Sequence, residues 1–210
     1  MDKTADILLA EGRLLPVMEE FYTLQGEGFN TGQAAYFIRI GGCDVGCSWC
    51  DIKESWDARL YPPVDTNGVI SRAVEFPGKA VVITGGEPLN YNLNYLSQGL
   101  RQHHIKIFIE TSGSRPLSGD PDWLCLSPKK SSPPLDKICI KADELKVIIL
   151  DETDLGWAEE NKERVRPGCL LYLQPEWSRR NTILPRIISY IKEHPQWRVS
   201  LQSHKYMRIP

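Results

Sequence analysis

The sequence predicts an α/β fold: a partial, open βα barrel forming a single domain. Three observations predict it. Short β-branched runs recur along the chain, helical stretches fit between several of them, and polar residues gather just past the C-terminal ends of the runs. Near-continuous apolar strands of this kind belong to parallel sheets covered by helices. Strand and helix alternating at this spacing is the mark of βα units.

The runs are 34–40 (AAYFIRI), 80–84 (AVVIT), 105–110 (IKIFIE), 123–127 (WLCLS), 145–150 (LKVIIL) and 169–174 (CLLYLQ), with a weaker one at 198–202 (RVSLQ). Helical stretches are predicted at 92–103, 155–166 and 183–194. The interval 127–145 is Pro-rich and a poor helix, and 129–135 (KKSSPPL) reads as a loop. Six or seven units fall short of a closed eightfold barrel. There is no repeat, low-complexity tract or domain boundary, so one domain is expected over 1–210. Glycines 41–42, 85–86 and 113 and the polar residues 127–129 and 174–176 follow successive runs, which puts them on the ligand-binding rim of such a sheet.

The chain has 210 residues, enough for one real core. A net charge of −2 excludes the strongly basic footprint of a nucleic-acid binder. Apolar runs such as 147–150 are far below the roughly 18–20 residues of a membrane span. The opening MDKTADILLAEGR lacks the basic-then-apolar pattern of a secretory signal. A cytoplasmic protein with no membrane and no nucleic-acid partner is expected. Its six cysteines are then expected to be reduced or metal-bound.

Cys43, Cys47 and Cys50 follow the first strand with C-x3-C-x2-C spacing. A tight loop can aim three thiolates at one point, and Gly41, Gly42 and Gly46 allow such a loop. A structural zinc site normally wants four closed ligands, and an electron-transfer cluster normally takes four cysteines. The four histidines lie more than fifty residues away. Three thiolates alone would leave one iron of a [4Fe–4S] cluster open. Cys125 and Cys169 fall inside apolar runs, where free cysteine acts as a small hydrophobe, and Cys139 is likewise not expected to be a ligand.

These cysteines, followed a strand later by Gly85-Gly86-Glu87-Pro88, resemble the radical S-adenosylmethionine superfamily. Within it the chain resembles the branch that makes 7-carboxy-7-deazaguanine for queuosine and other 7-deazapurines. The likeness runs nearly end to end: 21–28 (FYTLQGEG), Arg39, 84–88 (TGGEP), 110–113 (ETSG), 127–129 (SPK), 143–146 (DELK), 174–175 (QP) and the tail 201–205 (LQSHK). The resemblance implies a carbon–nitrogen lyase. Its cofactors would be a [4Fe–4S] cluster on Cys43, Cys47 and Cys50 and S-adenosylmethionine chelated to the open iron. Reductive cleavage would give a radical that takes hydrogen from C6 of 6-carboxy-5,6,7,8-tetrahydropterin, and ring contraction would follow with loss of ammonia.

The resemblance also implies roles. Residues 1–33 become an N-terminal substrate-binding segment ahead of a barrel at 34–210. Substrate contacts fall on Leu24, Gln25, Gly26, Glu27, Arg39, Thr84, His204 and Pro210. Cofactor contacts fall on Trp49, Cys50, Asp51, Gly86, Glu110, Ser127, Pro128, Lys129, Gln174, Pro175, Glu176 and Trp177. Side chains that hydrogen-bond a pterin edge discriminate against analogues lacking it, and an arginine such as Arg39 can clamp a carboxylate bidentately. A carboxylate such as Glu110 at the end of an apolar strand calls for a partner, and ribose hydroxyls are suitable donors. Flavodoxin as electron donor and a homodimer are further expectations from the resemblance. In one respect the chain departs from the pattern. Some members carry Thr or Ser two residues past the last cluster cysteine, as a ligand to Mg²⁺. Here that residue is Ile52, which has no side-chain oxygen, so magnesium is in doubt. A glycyl-radical-activating enzyme and a non-enzymatic zinc-stabilised module are the alternatives.

Overall fold

The structure, a computed structural model, describes residues 3–210; Met1 and Asp2, the start of the predicted domain, lie outside the described residues. The elements run α1 (Lys3–Ala10), β1 (Leu14–Leu15), β2 (Val17–Leu24), β3 (Ala34–Ile40), β4 (Val64–Asp65), α2 (Thr66–Val74), β5 (Ala80–Gly85), α3 (Asn94–Gln102), β6 (Lys106–Thr111) and β7 (Trp123–Leu126). They continue α4 (Asp136–Cys139), β8 (Glu144–Ile149), α5 (Thr153–Lys162), β9 (Leu170–Pro175), α6 (Arg180–Glu193), β10 (Trp197–Val199) and α7 (Ser203–Met207). An eight-stranded sheet has the order β10-β9-β8-β7-β6-β5-β3-β2, with β10 and β2 as open edges. Every pairing is parallel except β2 on β3, which is antiparallel. β1 and β4 form a separate antiparallel pair.

The period-2 alternation of strands sorts the two faces. Ile38, Ile40, Val81, Ile83, Ile107, Ile109, Leu124, Leu126, Leu145, Val147 and Leu173 join the main core, together with helical residues such as Leu96, Leu100, Ala158, Ile183 and Ile187. The opposite face begins apolar, as Ala35, Phe37, Ala80, Val82 and Phe108 form a smaller cluster under Phe21 and Trp123. Farther along the same strands this inner face turns polar, at Arg39, Thr84, Glu110, Lys146 and Gln174. The predicted strands read as unbroken apolar runs because their inner face is apolar for half its length.

Each of the six stronger predicted runs coincides with an observed strand to within one residue at its ends. The weak 198–202 run shortens to Trp197–Val199. Residues 127–145 hold one helical turn, α4. The segment 17–24, expected only as a substrate-binding stretch, is the edge strand β2; its Glu19-Glu20 pair and a register shift between Val17 and Glu19 hide the alternation.

Candidate active site

The C-terminal ends of the parallel strands, with the loops beyond them, wall a cavity of about 260 Å³. Of the site residues singled out from the sequence, only Pro128 is not on this wall; it is buried behind the turn.

The cysteine loop leaves the end of β3. Its backbone is pinned by Gly42 N–H to Ser55 O (2.6 Å), Cys43 N–H to Trp56 O (3.1 Å) and Cys50 N–H to Cys47 O (3.1 Å). Gly42 and Gly46 have φ of +102° and +70°, where any side chain is strained. Ser131 Oγ donates to Val45 O (3.0 Å), while Asn90 and Arg115 hold Asp44. Cys43, Cys47 and Cys50 are free and half-buried. Burial pushes the Cys43 and Cys47 thiols up; the charge of Lys129 opposes it at Cys47. Such thiols stay protonated at neutral pH until metal displaces the proton. The donor set therefore fits a cluster that takes three thiolates. Among the described residues no three His, Cys, Asp or Glu side chains close around one ion; a four-iron cluster is wider than one ion and holds its thiolates farther apart.

The turn after β5 is laid directly against this loop. Gly86 N–H donates to Ile40 O (2.8 Å) and Glu87 N–H to Gly42 O (3.0 Å). A Cβ at Gly86 would stand 2.4 Å from Gly42 O, so only glycine permits the approach. The Glu87 carboxylate is buried and accepts four hydrogen bonds: Leu89 N–H (3.1 Å), Thr111 Oγ (2.5 Å), Ser112 N–H (2.8 Å) and Ser112 Oγ (2.5 Å). It bolts the β5 turn to the β6 turn.

On the opposite side, the loop after β2 presents Gln25, Gly26 and Glu27. The Gln25 amide is engaged within the protein: its Oε1 accepts from Glu27 N–H (3.1 Å) and its Nε2 donates to Glu110 Oε1 (2.9 Å). Lys146 Nζ donates to Glu27 Oε2 (2.6 Å) and lies 3.7 Å from Glu110 Oε1. Burial alone would raise the Glu27 carboxyl. The charge and hydrogen bond of Lys146, with a hydrogen bond from Gln174, outweigh it and bring the carboxyl down to about 2. Arg39 Nε is paired with Glu19 (2.6 Å).

Ser127 and Lys129 follow β7; Lys129 Nζ donates to Ser127 O (2.5 Å) and Oγ (2.7 Å) and stands 5.6 Å over the Trp49 ring. Beyond β9, Glu176 caps the next turn, accepting from Ser178 N–H (3.0 Å) and Arg179 N–H (3.1 Å). Arg180 (4.0 Å) and Lys205 (5.0 Å) both stand over the Trp177 ring. The tail closes the site. Ser203 donates twice to Gly26 O, from N–H (2.9 Å) and Oγ (2.8 Å). A Cβ on Gly26 would meet His204 Nδ1 at 2.2 Å. Asp51 Oδ2 accepts from Lys205 Nζ (2.6 Å) and Gln202 Nε2 (3.4 Å). Burial holds the His204 imidazole below the usual histidine range.

The wall also includes residues given no role from the sequence, notably Lys146, Phe37, Ile148 and Thr111. Lys146 carried a signal, since a lysine inside an apolar run needs a buried partner.

An open βα sheet with a three-cysteine loop at the C-terminal end of its first parallel strand defines a radical SAM enzyme, and the radical SAM superfamily profile matches residues 37–143. The chain is 50% identical to the 7-carboxy-7-deazaguanine synthase of Flavobacterium psychrophilum over 210 residues, all of both chains. It is 45% identical to that of a Synechocystis species, covering 92% of this chain and 93% of the relative. The crystal structure of QueE from Escherichia coli superposes with a TM-score of 0.82 at 28% identity, covering 96% of this chain and all of that one. The chain belongs to the 7-carboxy-7-deazaguanine synthase family. It is a radical SAM enzyme of queuosine and 7-deazapurine biosynthesis that acts on a small molecule, with a [4Fe–4S] cluster and S-adenosylmethionine as cofactors. Neither the glycyl-radical activase nor the zinc module survives this result. No helix among the described residues is long and apolar enough to cross a membrane.

Proposed function

We propose that the substrate is 6-carboxy-5,6,7,8-tetrahydropterin and that the cavity converts it to 7-carboxy-7-deazaguanine with loss of ammonia. The observation that carries this is the meeting of the Gln25–Glu27 loop and the Cys43–Cys50 loop on one cavity. Cys43, Cys47 and Cys50 would hold the cluster. Trp49, Asp51, Gly86, Glu110, Ser127, Lys129 and the 174–177 segment would hold S-adenosylmethionine, with Pro128 supporting the turn from behind. When bound, the cluster and S-adenosylmethionine supply one-electron, hydrogen-abstracting chemistry.

The chain's own residues bind and orient. The ionised Glu27 accepts from the donor edge of the pterin, alongside Leu24, Gly26 and Thr84. Gln25 acts on the substrate through its backbone and by fixing Glu27, because its amide is engaged. Arg39, its Nε on Glu19, turns its terminal nitrogens to the substrate carboxylate. Phe21 and Phe37 give the ring an apolar bed and keep water from it. The tail, with His204 and Pro210, lies across the mouth. Its histidine is a neutral hydrogen-bonding group at pH 7.

Magnesium does not fit the side chains here. Ile52 offers no oxygen, Ser55 Oγ donates to Ile52 O (2.7 Å), and Asp51 is engaged by an ammonium. Residue 52 therefore supplies no side-chain ligand to a divalent cation. Six free cysteines suit the reducing cytoplasm. Flavodoxin as electron donor and a homodimer complete the proposal from family resemblance. The test is anaerobic reconstitution followed by turnover. Brown protein with about four irons, together with a product of the mass of 7-carboxy-7-deazaguanine, supports the reading. Iron-loaded protein that cleaves S-adenosylmethionine yet leaves this pterin unchanged refutes it.

A further inference from the structure

Lys146, on the inner face of β8, has no part in the proposed roles. Its side chain is 4% exposed, and a lysine buried to that degree requires a partner for its charge. Charged and titratable groups face it from every neighbouring element. Glu27 comes from the loop after β2, Glu110 from β6, Cys125 from β7 and Glu144 from β8 itself. Gln174 on β9 and His204 on α7 act on the same Glu27, and Lys129 repels from the loop after β7.

These neighbours are not equivalent. The oxygens of Glu144 are occupied by neutral donors: Phe29 N–H (3.1 Å) and the Trp123 indole (3.0 Å) on Oε2, the Cys125 thiol (3.6 Å) on Oε1. The lysine is directed instead at the other two carboxylates. It hydrogen-bonds Glu27, whose own N–H donates to Gln25 Oε1; Gln25 Nε2 donates to Glu110 Oε1, and Glu110 returns to within 3.7 Å of the ammonium. The four residues form a closed ring between the substrate loop and the cofactor strand, its Glu27–Gln25 link made through the Glu27 backbone.

We infer that Lys146 is a positioning residue shared by both ligands, one ammonium holding Glu27 for the pterin and Glu110 for the ribose of S-adenosylmethionine. The inference rests on the reading that Glu27 faces the substrate and Glu110 the cofactor. A ring of this kind makes the two carboxylates mechanically and electrostatically dependent on each other. A mainly structural lysine would support the fold without linking the two affinities.

The test uses reconstituted holoenzyme, anaerobic calorimetry and two probes, 6-carboxy-5,6,7,8-tetrahydropterin and S-adenosylmethionine, titrated separately from pH 5.5 to 8.5. Lys146→Met is expected to weaken both ligands by about tenfold or more. It also gives pterin affinity a pH dependence relative to wild type. Without the ammonium, the uncompensated burial of Glu27 raises its carboxyl, so affinity falls toward the acid end by up to about tenfold per pH unit. His204 also feels the Lys146 charge, so lysine and methionine are compared in a His204→Asn background, where the histidine contributes nothing. Glu27→Gln weakens the pterin and, through the ring, changes S-adenosylmethionine affinity by about threefold or more; this cross-effect decides the matter if Lys146→Met does not fold. Unchanged S-adenosylmethionine affinity in both variants, with a pterin pH profile parallel to wild type, overturns the inference while the substrate reading stands. Unchanged pterin affinity in Glu27→Gln overturns both.

Discussion

Glu87→Gln isolates what the buried bolt between the β5 and β6 turns contributes. The carboxylate is 1% exposed and accepts from Leu89 N–H, Thr111 Oγ, Ser112 N–H and Ser112 Oγ. Glutamine keeps the shape but replaces one oxygen with a donor. If its NH₂ faces Ser112, the hydroxyl can rotate to accept, but the Ser112 N–H has nowhere to go. If it faces the other way, the Leu89 N–H is stranded and Thr111 rotates. Either orientation leaves one backbone N–H unpaired, costing about 1–3 kcal/mol. The two bonds that remain become neutral, losing roughly 1 kcal/mol each. Relief from burying a charge returns part of this, so the net expectation is about 2–4 kcal/mol, a large share of a domain's usual 5–15 kcal/mol. Urea unfolding of the reduced, cluster-free protein measures it. A second readout is iron uptake, which drops because Glu87 N–H also anchors Gly42 O in the cysteine loop. A loss below about 1 kcal/mol with full iron uptake would refute the assignment of Glu87 as a bolt.

Three further predictions concern the rest of the site. The Glu27 carboxyl at about 2 lies below its unfolded value of about 4.3. Its stabilisation is therefore full above the unfolded value and disappears as pH falls toward 2; Glu27→Gln flattens that acid limb, read from urea midpoints across the window. With Ile52 at the magnesium position, turnover in EDTA and in added Mg²⁺ should agree within about twofold, and a strict requirement contradicts the assignment. Gly26→Ala drives a methyl into His204 and lifts the tail: KM for the pterin rises by about tenfold and trypsin cuts faster at Lys205 and Arg208, while far-UV circular dichroism stays unchanged.

The parallel strands were legible because the same residues satisfy two demands. Ile38, Ile83 and Ile109 face the helical core and Phe37, Val82 and Phe108 the inner cluster, so both parities are apolar. β2 was not legible as a strand, since adjacent glutamates at 19 and 20 and a bulge break its alternation. α2 (TNGVISRAV) was missed for a different reason. Its nine residues carry Asn67 and Gly68 in the first turn, which weaken propensity, and its cap at Asp65 is a tertiary detail. At the site, every residue singled out from motifs but Pro128 lies on the wall, yet the motifs do not say what each side chain touches. Gln25 reads equally well as a ligand contact or as a brace, and only the register of β6 against the β2 loop shows its amide bound to Glu110. Lys146 needed the same cross-chain information, because its partners lie 119 positions away at Glu27 and on another strand at Glu110.

The junction of Ser203 with Gly26 joins residues 177 positions apart. Loop closure over such a span costs little more than over half of it, about 0.6 kcal/mol per doubling, but the contact has to wait for its partner to be made. During synthesis the β2–β3 pair and the successive parallel strands can form before residues 203–210 exist; the covered cavity cannot. The mouth of this enzyme is thus closed after the sheet, and on the proposed reading substrate binding draws on a contact that shorter nascent chains lack. Substrate affinity is in that sense a check on completeness, favouring by mass action those molecules whose two distant segments have already met.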